Sequence, residues 1–423
     1  MSTTSPDAAN RLLPGSELCV HCGFCLQACP TYLALDDEND SPRGRIVLMK
    51  ALADGALGTH DTAVLEHLDR CLGCRACETA CPSGVPYGHL LEQTRARIAD
   101  DRPLPFVARA ILWTFARPWA LLVAMTGARL LRAAGIAKVL SALPGSSGFG
   151  MAMLHSTRRS VHPQPWTPRA TGERGTVATL DGCVMEGLFS DVNRATERTL
   201  SENGYRVTHA AGQQCCGALH AHAGDAATAR ELARRNIAAF ERSGAAWVAV
   251  NSAGCGAMLK EYGHLLKDDA EWKARAAAFA ATVRDVSELL VAAGPVAGAA
   301  IGKRVTYDAP CHLMHGQRLV TPPLAVLGAI EGLDLVPLTD GDQCCGSAGI
   351  YNLIEPEVSD RVLAPKLANI AATHAQIVAT GNPGCLMQIG AGLARSGSAA
   401  VARHPVELLD ASYGRRARAG RSA

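Results

Sequence analysis

Sixteen cysteines stand in this chain of 423 residues, and their order restricts the fold more than their number does. Eight fall in two tight runs: Cys19-Val-His-Cys22-Gly-Phe-Cys25-Leu-Gln-Ala-Cys29-Pro30 and Cys71-Leu-Gly-Cys74-Arg-Ala-Cys77-Glu-Thr-Ala-Cys81-Pro82. The other eight form a repeat. Cys183, Cys215, Cys216 and Cys255 recur as Cys311, Cys344, Cys345 and Cys385, at offsets of 128, 129, 129 and 130. Their flanks recur as well, GlnGlnCysCysGly (213–217) against AspGlnCysCysGly (342–346) and AlaGlyCysGly (253–256) against ProGlyCysLeu (383–386). Agreement at so many positions implies two copies of one unit. A disulfide scaffold belongs to short secreted chains, and MSTTSPDAANRLLPGSELC at the N-terminus has no apolar core of a secretory signal. The expectation is a cytoplasmic chain whose thiols hold metal.

Both tight runs fit the C-x₂-C-x₂-C-x₃-C-P pattern of bacterial [4Fe–4S] ferredoxins. Three closely spaced thiolates reach three corners of an iron–sulfur cube and leave the last iron to a distant cysteine, while the proline turns the chain away. On that rule one cluster takes Cys19, Cys22, Cys25 and Cys81, and the other takes Cys71, Cys74, Cys77 and Cys29. Structural zinc has no use for the third C-x-x-C step or the crossed-over cysteine. Between the runs, Ser41-Pro42 is a cap-then-first-turn signature followed by Ile46, Leu48, Met49 and Leu52, and 63–70 also reads as helix. His21 and Arg75, each beside a cysteine, are either tuners of potential or plain exposed residues. Arg43 and Arg45 read as a solvated helix start, or else as docking residues for a partner or quinone.

The chain divides into a helical ferredoxin domain (1–102), an apolar helical connector (103–170), a first cysteine-rich domain (171–295) and a second with a basic tail (296–423). The fold class is mixed: an N-terminal α-helical ferredoxin domain, then two repeated α/β domains with mostly parallel sheets. Short β-rich runs, 176–180, 205–209 and 247–251 in one copy and 304–308, 333–337 and 376–380 in the other, lead into the cysteines. Helical stretches separate them, such as 223–242 with Asp225 as cap and Gly244 as stop. Cysteines placed just after strands would converge where open α/β sheets bind ligands. Two adjacent cysteines can face one site only in a tight turn, which Gly217 and Gly346 permit.

The connector is apolar, but Arg109, Arg117, Arg129 and Arg132 interrupt it and Pro118 breaks it, so no run reaches the ~20 residues of a membrane span. It is either a linker packed on the domain cores or a docking surface with Trp113 and Trp119 at the interface. ProGlySerSerGlyPheGly (144–150) and HisProGlnProTrpThrPro (162–168) have loop composition. ArgArgAlaArgAlaGlyArg (415–421) reads as an unstructured basic tail with some attraction for anionic membranes. Lys and Arg (41) nearly cancel Asp and Glu (39), which argues against nucleic-acid binding.

Tandem Cys…CysCysGly…Cys units resemble the CCG domains of heterodisulfide reductase and glycerol-3-phosphate dehydrogenase iron–sulfur subunits. Segments 19–32, 40–50 and 67–85, with the block order and both repeats, resemble above all the iron–sulfur subunit of glycolate oxidase (glycolate dehydrogenase). The resemblance spans nearly the whole chain and is weakest over 103–170. It implies two [4Fe–4S] clusters, partner subunits carrying FAD that oxidise glycolate to glyoxylate, with D-lactate as a second substrate, and electron delivery toward a membrane quinone. It further implies a peripheral position on the cytoplasmic face of the inner membrane, through the complex. The heterodisulfide reductase pattern ends each unit with C-x-x-C, whereas Met258 and Gln388 stand here. Cys183, Cys215, Cys216, Cys255, Cys311, Cys344, Cys345 and Cys385 are therefore either ligands of further clusters or redox thiols. His312 and His315 beside Cys311 are candidates for the missing ligand, without counterparts beside Cys183. Asp181 and Asp308, at equivalent strand ends, are expected to bond the turns that follow. No dinucleotide fingerprint, phosphate loop or catalytic triad accompanies the cysteines, so catalysis by this chain alone is not expected. The alternatives are a glycerol-3-phosphate or lactate dehydrogenase subunit, or a thiol–disulfide oxidoreductase built on the CysCysGly pairs.

Overall fold

The computed structural model describes residues 13–157 and 166–420. Up to residue 101 the described structure is helical, with principal helices Pro42–Ala53, Thr62–Asp69 and Tyr87–Asp101. Ser41 caps the first of these, its hydroxyl accepting the Gly44 N–H at 3.0 Å with Pro42 opening the helix, as the Ser-Pro pair implies. Asp61 caps the next by accepting from Ala63 N–H at 3.1 Å. Their apolar faces, Ile46, Met49, Leu52, Val64, Leu68 and Leu90, close a small core against Cys71 and Cys77.

The rest is built on two four-stranded sheets. The first holds β1 (Thr176–Thr179), β2 (Arg206–His209), β3 (Trp247–Val250) and β4 (Val283–Asp285) in the order β2-β1-β3-β4. The second holds β5 (Lys303–Tyr307), β6 (Leu333–Val336), β7 (Ile377–Ala379) and β8 (Val401–Arg403) in the order β6-β5-β7-β8. Every pairing is parallel, and the registers match: Val177 lies between Val207 and Trp247, and Val305 between Leu335 and Ile377. Six strands coincide with the β-rich runs. The edge strands β4 and β8 were not foreseen, because three residues are too short to show alternation. The expected helix runs Ala226–Ser243, with Asp225 bonded to Thr228 N–H and Gly244 in the left-handed conformation.

In each sheet the chain steps outward on one side, then crosses to the other. This leaves a crevice at the strand C-terminal ends between β1 and β3, and between β5 and β7. The two units are joined by one core that mixes Val177 and Ala249 with Val305, Ala379, Leu290, Val406 and Tyr413. Arg198 adds a two-pronged pair to Asp410, both contacts at 2.8 Å.

Two loop expectations are corrected. Residues 145–150 form the first half of a helix, Gly145–Ser156, because Phe149, Ala152 and Met153 pack on Met387 and Ala391 and so outweigh the weak helix propensity of Gly and Ser. Of 162–168, the first four positions lie outside the described residues; Trp166 is buried and donates its indole N–H to Asp410 at 2.9 Å. The basic tail is also corrected through residue 420. Pro405–Ala419 is a helix, Arg415 donates to the Ala300 carbonyl at 2.9 Å, and Arg416 pairs with Glu202. Residue 421 lies outside the described residues. Among the described residues no single helix is long and apolar enough to cross a membrane.

Candidate metal centres

Cys19, Cys22, Cys25 and Cys81 line one cavity, with Cys77 at its inner wall. The winding that aims them inward is the same in both runs. The residues on either side of the middle cysteine are left-handed: His21 (φ 56°) and Gly23 (φ 87°) around Cys22, Gly73 (φ 61°) and Arg75 (φ 64°) around Cys74. For His21 and Arg75 this conformation costs about 1–2 kcal/mol. Arg75 is held there by Glu78 at 2.9 Å and Glu261 at 3.0 Å, so it is neither a plain exposed residue nor free to move.

The two quartets differ in exposure. Cys22 is exposed and Cys19, Cys25 and Cys81 half-buried, whereas Cys29, Cys71, Cys74 and Cys77 are all buried. Burial pushes the Cys25 thiol up to about 11. Burial also raises Cys77, and the neighbouring thiols Cys74, Cys71 and Cys29 raise it further, as expected for four sulfurs around one point. Donors already face this inner set: the Tyr87 hydroxyl and the Gly73 N–H each approach Cys71 Sγ at 3.5 Å. Arg45 is wholly buried, against both sequence expectations for it. It donates to Thr31 Oγ1 (2.9 Å), Asp40 Oδ1 (3.0 Å) and the His67 carbonyl (2.6 Å), and lies 4.0 Å from Cys29 Sγ. Arg43 does stay at the surface, bonded to Glu38 and to the His21 carbonyl. Thiol quartets with N–H and O–H donors and one buried cation fit a sulfur-rich anionic cluster.

All eight repeat cysteines line a single cavity of about 490 Å³ between the two α/β units, with Cys71, Leu72 and Arg95 of the N-terminal block on its wall. Gly217 (φ 86°) and Gly346 (φ 85°) make the turns that let each adjacent pair face it. The sulfurs run in hydrogen-bonded rows. Bonds from Cys183 and then Cys216 hold the Cys215 thiol well below its usual value, and Cys311 and Cys345 do the same for Cys344. Cys345 Sγ and Cys385 Sγ are 3.3 Å apart.

Neither Met258 nor Gln388 lines the cavity. Met258 sits in an apolar core beside Leu259 and Tyr262. Gln388 accepts from Asn352 at 2.8 Å and donates to Ser359 at 2.8 Å, which in turn holds the Gly346 carbonyl at 2.9 Å. Of the two histidines, only His315 has both ring nitrogens engaged, by Thr79 Oγ1 (2.6 Å) and the Asp342 carbonyl (3.2 Å). His312 lines the cavity; its Nε2 donates to the Gly73 carbonyl at 3.2 Å, which puts the lone pair on Nδ1, and burial lowers its pKa to about 4, so the ring is held neutral. Asp181 and Asp308 bond across the fold rather than to the turns that follow them: Asp181 accepts from Gln213 (3.1 Å), and Asp308 accepts from Thr380 (3.0 Å) and Lys366 (2.8 Å).

Three residues were missed. Arg95 ties the block to the cavity through the carbonyls of Cys71 (2.8 Å) and His222 (3.1 Å); no local pattern announces it. Lys366, buried against Asp308, carries no local signal that distinguishes it from its helical neighbours. Asn382 donates to Cys385 Sγ at 3.6 Å; it stands three residues before the cysteine, as Ser252 does before Cys255, and that shared cap-type position was a usable signal.

A family model described as a 4Fe-4S dicluster domain matches residues 15–85, and one described as a cysteine-rich domain, CCG, matches 177–260 and 305–390. The chain is 39% identical over 411 residues to the probable glycolate oxidase iron-sulfur subunit of Bacillus subtilis (strain 168), covering 92% of each. It is 36% identical over 402 residues to the glycolate oxidase iron-sulfur subunit of Escherichia coli (strain K12), covering 93% of each. The chain belongs to the glycolate oxidase iron–sulfur subunit family. The chain is also 32% identical over 231 residues to lactate utilization protein A of Geobacillus kaustophilus (strain HTA426), covering 54% of its own length and 96% of that protein's.

Proposed function

We propose that this chain is the electron-transfer subunit of a multisubunit glycolate dehydrogenase and is not catalytic alone. Flavin-bearing partner subunits oxidise glycolate to glyoxylate, removing two electrons and two protons, and the electrons leave toward a membrane quinone. The observation that carries this is the pairing of one half-open and one fully buried cysteine quartet within a block that walls the repeat cavity. When bound, [4Fe–4S] clusters supply one-electron carriers that divide a flavin's electron pair into single transfers. Cys19, Cys22, Cys25 and Cys81 would hold one and Cys71, Cys74, Cys77 and Cys29 the other. The protein's part is to place the outer quartet where a partner can approach Cys22, to keep water from the inner one, and to set the Arg45 charge behind Cys29. The repeat cysteines are read as ligands of further iron–sulfur centres, four thiols per repeat; the close approach of Cys345 and Cys385 is the one feature favouring redox thiols instead. D-lactate is included as a second substrate on the likeness to the lactate utilization protein. The complex is placed on the cytoplasmic face of the inner membrane.

Anaerobic iron and sulfide quantitation of the purified chain tests this, with about eight irons for the N-terminal block and more if the repeats are loaded. Glycolate should reduce these centres only when the flavin subunits are added. A colourless or zinc-loaded chain, or glycolate turnover by this chain alone, would overturn it.

A further inference from the structure

The segment 103–157 contains no aspartate or glutamate and five cations, Arg109, Arg117, Arg129, Arg132 and Lys138, in a chain whose acids and bases otherwise nearly balance. Its two main helices, Phe106–Phe115 and Pro118–Ala133, meet at 107°. On the first, Phe106, Ala110 and Trp113 share one exposed face, continued at the bend by Arg117, while Ala108 and Leu112 point inward. On the second, Trp119, Leu122, Val123, Thr126 and Leu130 form the exposed face and Ala120 is buried. These apolar side chains are not marginally exposed: Phe106 is 81%, Val123 66%, Leu130 66% and, on the following short helix, Val139 74%.

The two stripes form one surface. Trp113 and Trp119 meet edge-to-face across the bend with ring centroids 5.5 Å apart, and the Arg117 guanidinium lies 4.5 Å over the Trp113 ring. Arg109, Arg117 and Lys138 are exposed beside it; Arg132 is turned inward, bonded to Thr157 and to the Leu188 carbonyl at 3.2 Å. The reverse side is fastened down, with the Leu112 carbonyl held by His220 Nε2 at 3.0 Å. Ala108, Ile111 and Phe115 from that side line the cysteine cavity.

We infer that this bent helix pair is an interfacial anchor that lies flat on an anionic lipid surface. Aromatic and aliphatic side chains on one face, tryptophans at the elbow and cations without any acid are what anionic headgroups and acyl chains recognise. The exposed cations Arg109, Arg117 and Lys138 carry one sign only, which complements anionic headgroups. Docking this way sets the cysteine cavity one helix diameter, about 10 Å, from lipid. The inference shares the membrane with the reading above but does not need glycolate as substrate.

The full chain, prepared anaerobically with its metal, is sedimented with vesicles of phosphatidylcholine alone and of phosphatidylcholine with phosphatidylglycerol. Sedimentation should be at least about tenfold greater with the anionic vesicles at low salt and fall as salt is raised. Tryptophan emission should shift to the blue only with those vesicles. The double substitution Trp119→Glu, Leu130→Glu, at exposed positions outside every cysteine site, should lose about tenfold or more of the binding while keeping the visible absorbance that reports a folded, loaded chain. Absence of binding by the unaltered chain overturns the inference, as does equal binding by the variant. A vesicle-independent complex with the flavin subunits that this variant breaks would assign the face to a protein and overturn it too. Glycolate-dependent reduction of the centres measured without vesicles should be the same in both chains, so its failure bears only on the proposed function.

Discussion

The two CCG repeats have the same strand order and the same glycine-hinged cysteine turn, yet they meet their surroundings differently. In the first, Asn236 reaches the Cys215 carbonyl and the Tyr262 hydroxyl, both at 3.0 Å. In the second, the position 130 residues on, the offset that relates Cys255 to Cys385, is Lys366. Burial works against its charge, but Asp308, 2.8 Å away, outweighs burial and holds the ammonium above its usual range. That buried cation is one of the influences that draw Cys344 down. The contacts with the N-terminal block diverge as well. The first repeat meets it through ion pairs, Glu261 with Arg75 and His89, and His222 with Glu92. The second brings Cys344 into one buried cluster with Cys74, Leu72, Tyr351 and Val358. The repeats keep one scaffold, but the second carries a buried ion pair behind its cysteines and packs against Cys74, whereas the first has a neutral amide at that position and meets the block through ion pairs.

The largest test of that contrast is Lys366→Met, which strands Asp308 without a counter-charge. Loss of about 3–5 kcal/mol of stability is expected, against about 1–3 kcal/mol for Asn236→Leu, both read by thermal melting. The pair Lys366→Met with Asp308→Leu should recover much of the first loss. Equal costs at the two positions would erase the distinction.

The seam between the repeats gives the next effect. His404 accepts the Val406 N–H on Nδ1 (3.1 Å), so its Nε2 carries the proton donated to the Asn251 carbonyl at 2.8 Å. Burial lowers it to about 4. The unfolded chain takes up this proton near pH 6.5 and the folded chain only near 4. Stability is therefore complete above about pH 6.5 and falls by up to about 1.4 kcal/mol per pH unit down to pH 4, then levels off. His404→Gln should flatten the melting-temperature profile over that window relative to the unaltered chain.

A smaller expectation concerns Met258 and Gln388, which stand where the heterodisulfide reductase pattern has its last cysteine. Gln388→Met should cost about 2 kcal/mol by leaving Asn352 and Ser359 without their partner, and the reciprocal Met258→Gln should also destabilise, by burying an amide in an apolar core. The smallest effect is spectroscopic. Cys344→Ser should perturb the EPR signal of the N-terminal centres, because Cys344 packs on Cys74, and Cys215→Ser should leave that signal unchanged.

Much of the fold was readable without coordinates. Cap residues such as Ser41, Asp61 and Asp225 act within a few positions of themselves, and β-rich runs mark central strands. β4 and β8 escaped because edge strands of three residues have no periodicity, and Gly145–Ser156 escaped because its helix is stabilised by Met387 and Ala391, more than two hundred residues away. The same limit hid Arg45. Its charge reads as a surface feature until Asp40, Thr31 and the His67 carbonyl are seen to enclose it.

Cysteine spacing sufficed for the twin cluster motifs and the duplicated unit, and β-rich runs placed the thiols after strands, since a motif, a repeat and a strand's composition are all written in the order of residues along the chain. The gathering of eight thiols from two units into one cavity, the contact of Cys344 with Cys74, and the exposure of the elbow at Trp113 and Trp119 were decided by packing between distant segments. Burial is a property of the assembled surfaces, and no stretch of residues carries it in its own letters.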